Sequence, residues 1–483
     1  MSRSSGVLMH VSSLWGDFSI GSFGKEAKKF VDFLSECGFS LWQVLPFCMS
    51  DESNSPYKSF SAFGGNPYFI DLPTLYEKRL ITAEELDAAR QDSPYSCEFD
   101  RLSKERLSLL RLAAGRCDGY TRSRVASFID SNRQLHKAAE FLALREANGG
   151  AEWTEWTVLS PAPEELFFWQ FIQFEFFMQW MEIKSYANSK GIRIIGDVPI
   201  YVAYDSCDVW ANPEQFLLDE RKRPTAVAGV PPDYFSEDGQ LWGNPLYDWE
   251  RMRADDYAWW RQRIRHMLCL FDGIRIDHFR GLESFWSIPA DAVSAKEGCW
   301  VKGPDRAIAD VIREEAGDKL IIAEDLGDIT EDVVELLDYS GFPGMRVFQF
   351  AFLGDPQTPH LPHNYSKNCV AYTGTHDNNT LLGYVWEMDG DQRERVFDYC
   401  SCPRHDWSGA CEMIIKTVMA SHADTVIFPI QDIFVFGADT RMNTPGTVTD
   451  NWQYRITEDQ LRRVSCGKFK HLNSLYSRAT GKL

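Results

Sequence analysis

The chain has 483 residues, 44% hydrophobic and 14% aromatic, enough to bury one oversized core or two to three ordinary ones. With 50 Lys and Arg against 70 Asp and Glu, its formal charge of -20 repels nucleic acid and polyphosphate and leaves a neutral substrate indifferent. The 12 Cys make no framework: Cys400 and Cys402 form a lone C-x-C without the second pair that a tetrahedral metal site needs.

The first residues, MSRSSGVLMHVSSLWGD, lack the apolar core and small-residue cleavage site of an export signal, so a cytoplasmic protein with reduced cysteines is expected. Strands are predicted near 6–11, 40–47, 191–200, 271–277, 319–326, 344–352, 368–377 and 424–432, each a short β-rich apolar run. Helical patterns cover 24–37, 252–270, 304–315 and 330–340. Eight strands alternating with helices predict an α/β fold, a (β/α)₈ barrel rather than an open sheet, spanning residues 1–483 as one catalytic unit.

Two connections are too long to be plain. Residues 72–160 are charged and helix-rich and read as an inserted helical subdomain; 201–250, rich in Trp, Tyr, Pro, Gly and Asn, read as a long active-site loop. The most apolar stretch, 164–183, is interrupted by Gln170, Gln173, Glu175, Gln179 and Glu182, and reads as a largely buried helix rather than a membrane span. His360 and His363 sit three apart, but Pro359 and Pro362 favour a loop over a metal-ligating helix. Gly24-Lys25 lacks the spaced glycines of a phosphate loop.

Several predicted strands finish in polar residues. Asp197 follows IRIIG, Asp277 follows GIRI, Glu324 follows LIIA, and His376-Asp377 follow VAYTGT. In a parallel barrel these ends open on one face, where the active site sits. A single acidic residue there has an ordinary reading as a helix N-cap; four on one face repel each other unless the site uses them. Arg275 and Asp277 point to one side of their strand, Ile274 and Ile276 to the other, and Gly273 on the charged side is expected to leave open space. Carboxylates beside an arginine suit retaining glycoside chemistry, which needs an ionised nucleophile and a second, protonated carboxyl. Arg275 is expected to keep Asp277 ionised, and neighbouring carboxylates under a dry aromatic wall to raise the pKa of the acid.

The segments GDVPIYVA, GIRIDHFRG, IIAEDLG and YTGTHDN resemble, in order, the four motif regions of the α-amylase superfamily. Within it the chain is similar to the 4-α-glucanotransferases of the amylomaltase (disproportionating enzyme) type, glycoside hydrolase family 77. The likeness extends to SPYKSFSAFGGNPYFIDL (55–72), DVWANPEQFLLD (208–219), AGVPPDYFSEDGQLWGNPLYDW (228–249) and RMNTPGTVTDNW (441–452), nearly end to end. One departure is Trp15, where the family usually carries Pro.

The resemblance implies Asp277 as nucleophile, Glu324 as acid/base and Asp377 as the carboxylate that positions sugar hydroxyls and stabilises the transition state. It implies Arg275, Asp197, His278 and His376 around the scissile bond, and Ser55, Tyr57, Tyr234, Phe235, Trp242 and Asn443 on the glucan. It further implies transfer between maltooligosaccharides, starch- or glycogen-derived glucans and glucose, with no metal or organic cofactor. From the charge and the interrupted apolar stretch neither a nucleic-acid nor a membrane partner is expected, and no C-terminal β-sandwich is predicted from the sequence. Loop 228–249, with Tyr234 and Phe235 as an acceptor platform, is expected to favour transfer over hydrolysis. Two other functions stand beside this one: an amylase-like hydrolase, and a catalytically silent glucan-binding protein.

Overall fold

In the computed structural model, which describes residues 3–51, 53–232 and 237–479, every predicted apolar run overlaps a strand of a closed barrel. The chain forms β1 (Ser4–Leu8), β2 (Leu41–Gln43), β3 (Arg193–Val198), β4 (Ala226–Val230), β5 (Gln240–Pro245) and β6 (Gly273–Ile276). It continues with β7 (Ser284–Pro289), β8 (Cys299–Lys302), β9 (Leu320–Ala323), β10 (Gly344–Val347), β11 (Cys369–Tyr372) and β12 (Thr425–Pro429). The barrel runs β1-β12-β11-β10-β9-β6-β3-β2, with parallel pairings throughout.

Both faces of a barrel strand are covered, which explains why these strands read as apolar runs. Ile195, Leu320, Ile322, Val347, Val370 and Tyr372 pack together in the interior. Their strand neighbours Ile194, Val198, Ile274, Ile276, Ile321 and Ala371 belong to the larger core under the helices. Gly273 does not leave the open space expected. A Cβ there would lie 2.7 Å from the Leu320 carbonyl oxygen and 3.0 Å from Ile195 Cδ1, so the barrel floor is already full beneath Arg275.

The outer face is equally tight. A Cβ on Gly196 would stand 2.2 Å from the Phe271 ring, which is itself wedged against Phe47 and Trp180. Gly196→Ala is therefore expected to destabilise the barrel by about 1–3 kcal/mol, read as thermal inactivation at lower temperature. A variant as stable as the parent would show that Phe271 has somewhere to go.

Helices Lys25–Glu36, Arg306–Ala316 and Glu331–Ser340 lie where the pattern predicts. The predicted helix over 252–270 is broken: Asp256 and Tyr257 turn left-handed, at φ 58° and 54°, between helices Trp249–Ala254 and Ala258–Leu270. The apolar stretch is one helix, Pro163–Ser189, with Phe171, Ile172, Phe176, Trp180 and Ile183 buried. Two of its interrupting polar residues satisfy loop backbone: Gln173 accepts from Gly65 N–H at 2.8 Å and Gln179 from Asp71 N–H at 2.7 Å. Among the described residues no helix is long and apolar enough to cross a membrane.

The sequence reading missed a second sheet. Strands β5-β4-β7-β8 pair antiparallel, so the stretch read as a loop over 201–250 carries β4 and β5, and the segment after Asp277 supplies β7 and β8. Trp242, on β5, reaches the barrel mouth, its ring edge-on to that of His278 at 5.0 Å.

Candidate active site

The barrel ladder itself places the two central carboxyls. Asp277 N–H donates to Val198 O and Glu324 N–H to Ile276 O, both at 3.0 Å, one residue past the ends of β6 and β9. His278 then turns left-handed at φ 50° and ends the extended run. Its backbone N–H donates to Glu324 Oε2, tying the two strand ends together.

Arg275, 4% exposed, points up the barrel axis beneath them. Its Nη1 holds both oxygens of the fully buried Asp197, at 2.8 and 2.7 Å. Its Nη2 lies 3.0 Å from Asp277 Oδ1 and 3.9 Å from Glu324 Oε2. Tyr57 donates from its hydroxyl to Asp197 at 2.7 Å, completing the buried charge network. Because Asp277 and Glu324 flank one nitrogen, their nearest oxygens are at most about 7 Å apart, which excludes most of the ~6.5–9.5 Å range of inverting pairs.

The three carboxyls differ in environment. Burial pushes Glu324 up to about 8, against the pull of Arg275 and with added repulsion from Asp277. Burial also pushes Asp277 up to about 6; Arg275 opposes that rise, and Asp197 adds to it. Arg275 thus favours the ionised form of Asp277, as its place on the strand predicts, while burial lifts the carboxyl above the ordinary aspartate range. Asp377 goes the other way. Burial would raise it, but His376, Asn443 and Arg275 bring it down to about 2.

Asp377 is also the most open of the three, its side chain 44% exposed against 27% for Asp277 and 15% for Glu324. Its Oδ2 faces His376 Nε2 at 3.2 Å, and its Oδ1 accepts from Asn443 Nδ2 at 2.6 Å. The Tyr57 ring stacks on His376, centroids 5.1 Å apart and planes within 14°. Ser55 sits further out: its hydroxyl accepts from Tyr57 N–H at 3.3 Å and shapes the loop that delivers Tyr57. Burial, and then Arg280, hold His278 down to about 3, so its ring is neutral beside Glu324. Tyr234 and Phe235 lie outside the described residues.

Two contributors escaped the sequence reading as individuals. Arg441 donates to the backbone oxygens of Asp377 and Asn443, at 2.6 and 2.7 Å. Trp452, 7% exposed, packs against both Tyr57 and His376, with centroids 6.0 and 5.9 Å away. Both lie in the segment 441–452, but spacing along a loop does not tell which side chain turns inward. Among the described residues no cluster of His, Cys, Asp and Glu could hold a metal ion.

A family model described as 4-alpha-glucanotransferase matches residues 9–461. The chain is 41% identical to a 4-alpha-glucanotransferase of Clostridium butyricum, over 97% of this chain and 100% of that protein. It is 40% identical to one of Thermus thermophilus, over 95% and 96% of the two chains. Among solved structures it is similar to the amylomaltase from Streptococcus agalactiae in complex with acarbose. That match has a TM-score of 0.95 and 37% identity and covers 99% of this chain and 100% of that one. The Corynebacterium glutamicum amylomaltase, at 19% identity and TM-score 0.82, has the same fold and covers 99% of this chain and 75% of that one.

Proposed function

Since the chain belongs to the 4-alpha-glucanotransferases of glycoside hydrolase family 77, we propose that it moves α-1,4-glucan segments by double displacement through Asp277. The observation that carries the assignment is the pair on Arg275 Nη2: one carboxyl rising to about 6, the other to about 8. At neutral pH the first is ionised and the second protonated, the division of labour a retaining mechanism needs.

Asp277 attacks the anomeric carbon while Glu324 gives its proton to the departing glycosidic oxygen. The C–O bond to the leaving glucan breaks as the bond to Asp277 forms, leaving Glu324 as carboxylate. Glu324 then takes the proton from the 4-OH of an acceptor glucan or glucose, whose oxygen displaces Asp277 with the original anomeric configuration. Asp377, held ionised by His376 and Asn443, is suited to accept from sugar hydroxyls as positive charge develops on the ring. Tyr57, Trp242 and His278 present ring surface at the mouth, the kind of surface on which a sugar face stacks.

The substrates we propose are maltooligosaccharides and starch- or glycogen-derived glucans, within carbohydrate metabolism in the cytoplasm. The 12 cysteines, all free, suit a reducing compartment.

Maltotriose alone tests the reading. Disproportionation yields glucose together with products longer than the substrate, without a matching rise in total reducing ends. A hydrolase raises reducing ends with every turnover, and a silent binder releases nothing. Reducing ends that rise one for one with glucose would replace the transferase by the hydrolase.

A further inference from the structure

Below the site a small cavity of about 20 Å³, room for one or two waters, is lined by His10, Ser13 and His376. Each of the three carries a polar atom without a described protein partner, and of these atoms only the Ser13 hydroxyl oxygen is fully shut off from solvent. Leu45 N–H donates to His10 Nδ1 at 3.2 Å, so Nδ1 carries no proton and the hydrogen of the neutral ring is on Nε2. No described protein group accepts from that Nε2–H. Burial holds His10 down to about 3, so the ring stays neutral. Ser13 Oγ is buried with no partner at all. His376 directs Nε2 to the Asp377 carboxylate, which only accepts, so in the neutral ring Nδ1 is a bare acceptor.

Buried polar groups are rarely left unpaired, and a buried water typically makes about three bonds. We infer that a water occupies this cavity, accepting from His10 Nε2–H, donating to His376 Nδ1 and bonding the Ser13 hydroxyl, and that it makes His10 and Ser13 positioning residues for His376. It rewards the His376 tautomer that points Nε2–H at Asp377; the opposite tautomer would set a lone pair against the carboxylate and an N–H against His10's own. The inference rests on the proposed role of Asp377.

His10→Phe keeps the ring between Phe47 and Phe69 and removes the donor. It is expected to lower kcat on maltotriose by about 10-fold, with KM within about 2-fold, the size of other outer-shell losses. Ser13→Ala, which perturbs packing least, should cost a few-fold, and His10→Gln, whose amide N–H reaches the cavity, should recover part of the loss. In ¹⁵N-histidine spectra the parent's His376 should be the Nε2–H tautomer, and His10→Phe should mix in the other. A crystal structure of the parent should show one ordered water between the three side chains. An empty cavity, or density that bromide replaces, would overturn the proposal, as would unchanged kcat and an unchanged His376 tautomer in His10→Phe. Asp377→Asn separates the two levels. If it is inactive while His10→Phe matches the parent, only the water link fails; if Asp377→Asn is active, the role of Asp377 fails with it.

Discussion

Asp277→Asn is expected to abolish transfer and hydrolysis together, by roughly 10⁴-fold or more, with the fold intact. An amide nitrogen or oxygen at this position cannot form the glycosyl ester, and no other carboxyl stands in the same relation to Glu324. Asp197 is fully buried and clamped through both oxygens by Arg275 and Tyr57. Asp377 is held by His376 and Asn443 at the open side of the site. The fold should survive because Arg275 keeps its two bonds to Asp197, so no unpaired charge is left in the barrel. Loss of the Asp277 charge also removes one cause of Glu324's raised pKa, so Glu324 should titrate lower in the variant than in the parent. Steady-state rates on maltotriose, circular dichroism and a carboxyl titration by NMR read all three. A well-folded variant retaining about 1% of parental turnover would move the nucleophile elsewhere.

The barrel is legible in the sequence because parallel strands covered on both faces must be short apolar runs, and LIIA or CVAY admit little else. The strand-end carboxylates are legible for the complementary reason, a charge placed where the apolar run stops. The accessory sheet is not. β5 reads QLWGNP and β8 reads CWVK, one with turn-forming residues and the other only four residues long. They are strands because β4 and β7 offer them a ladder, which is a property of the assembled molecule rather than of the segment. The electrostatics are legible only in part. Arg275 two residues before Asp277 suggests an ionised carboxyl, but the burial that lifts that carboxyl to about 6 is decided by β3, β9 and the Tyr57 loop. Arg441, Trp452 and His10 meet the site only through space, from loops whose spacing carries no period.

Glu324→Gln is expected to be nearly as damaging as the loss of Asp277 on maltotriose, and selectively so. The parent needs Asp277 ionised and Glu324 protonated, so kcat/KM should rise as pH passes about 6 and fall as it passes about 8. Glutamine has nothing to titrate, so the fall at high pH should vanish while the rise at low pH remains. Proton donation matters only when the leaving oxygen is a poor leaving group. An α-maltosyl fluoride, which departs without a proton, should therefore still glycosylate Asp277 in the variant at a rate near the parent's. The second half-reaction then stalls, because no base is left to deprotonate the incoming 4-OH. Azide, an anion that needs no base, should enter the vacated space and release α-maltosyl azide with the configuration of the donor retained. Turnover of maltotriose should fall by at least about 10²–10⁴-fold, the usual contribution of a positioned acid and base. A Glu324→Gln variant that is equally impaired on the fluoride, or that gives the β-azide, would show that Glu324 is not the proton donor opposite Asp277. The pair bound to Arg275 Nη2 would then have to be reassigned.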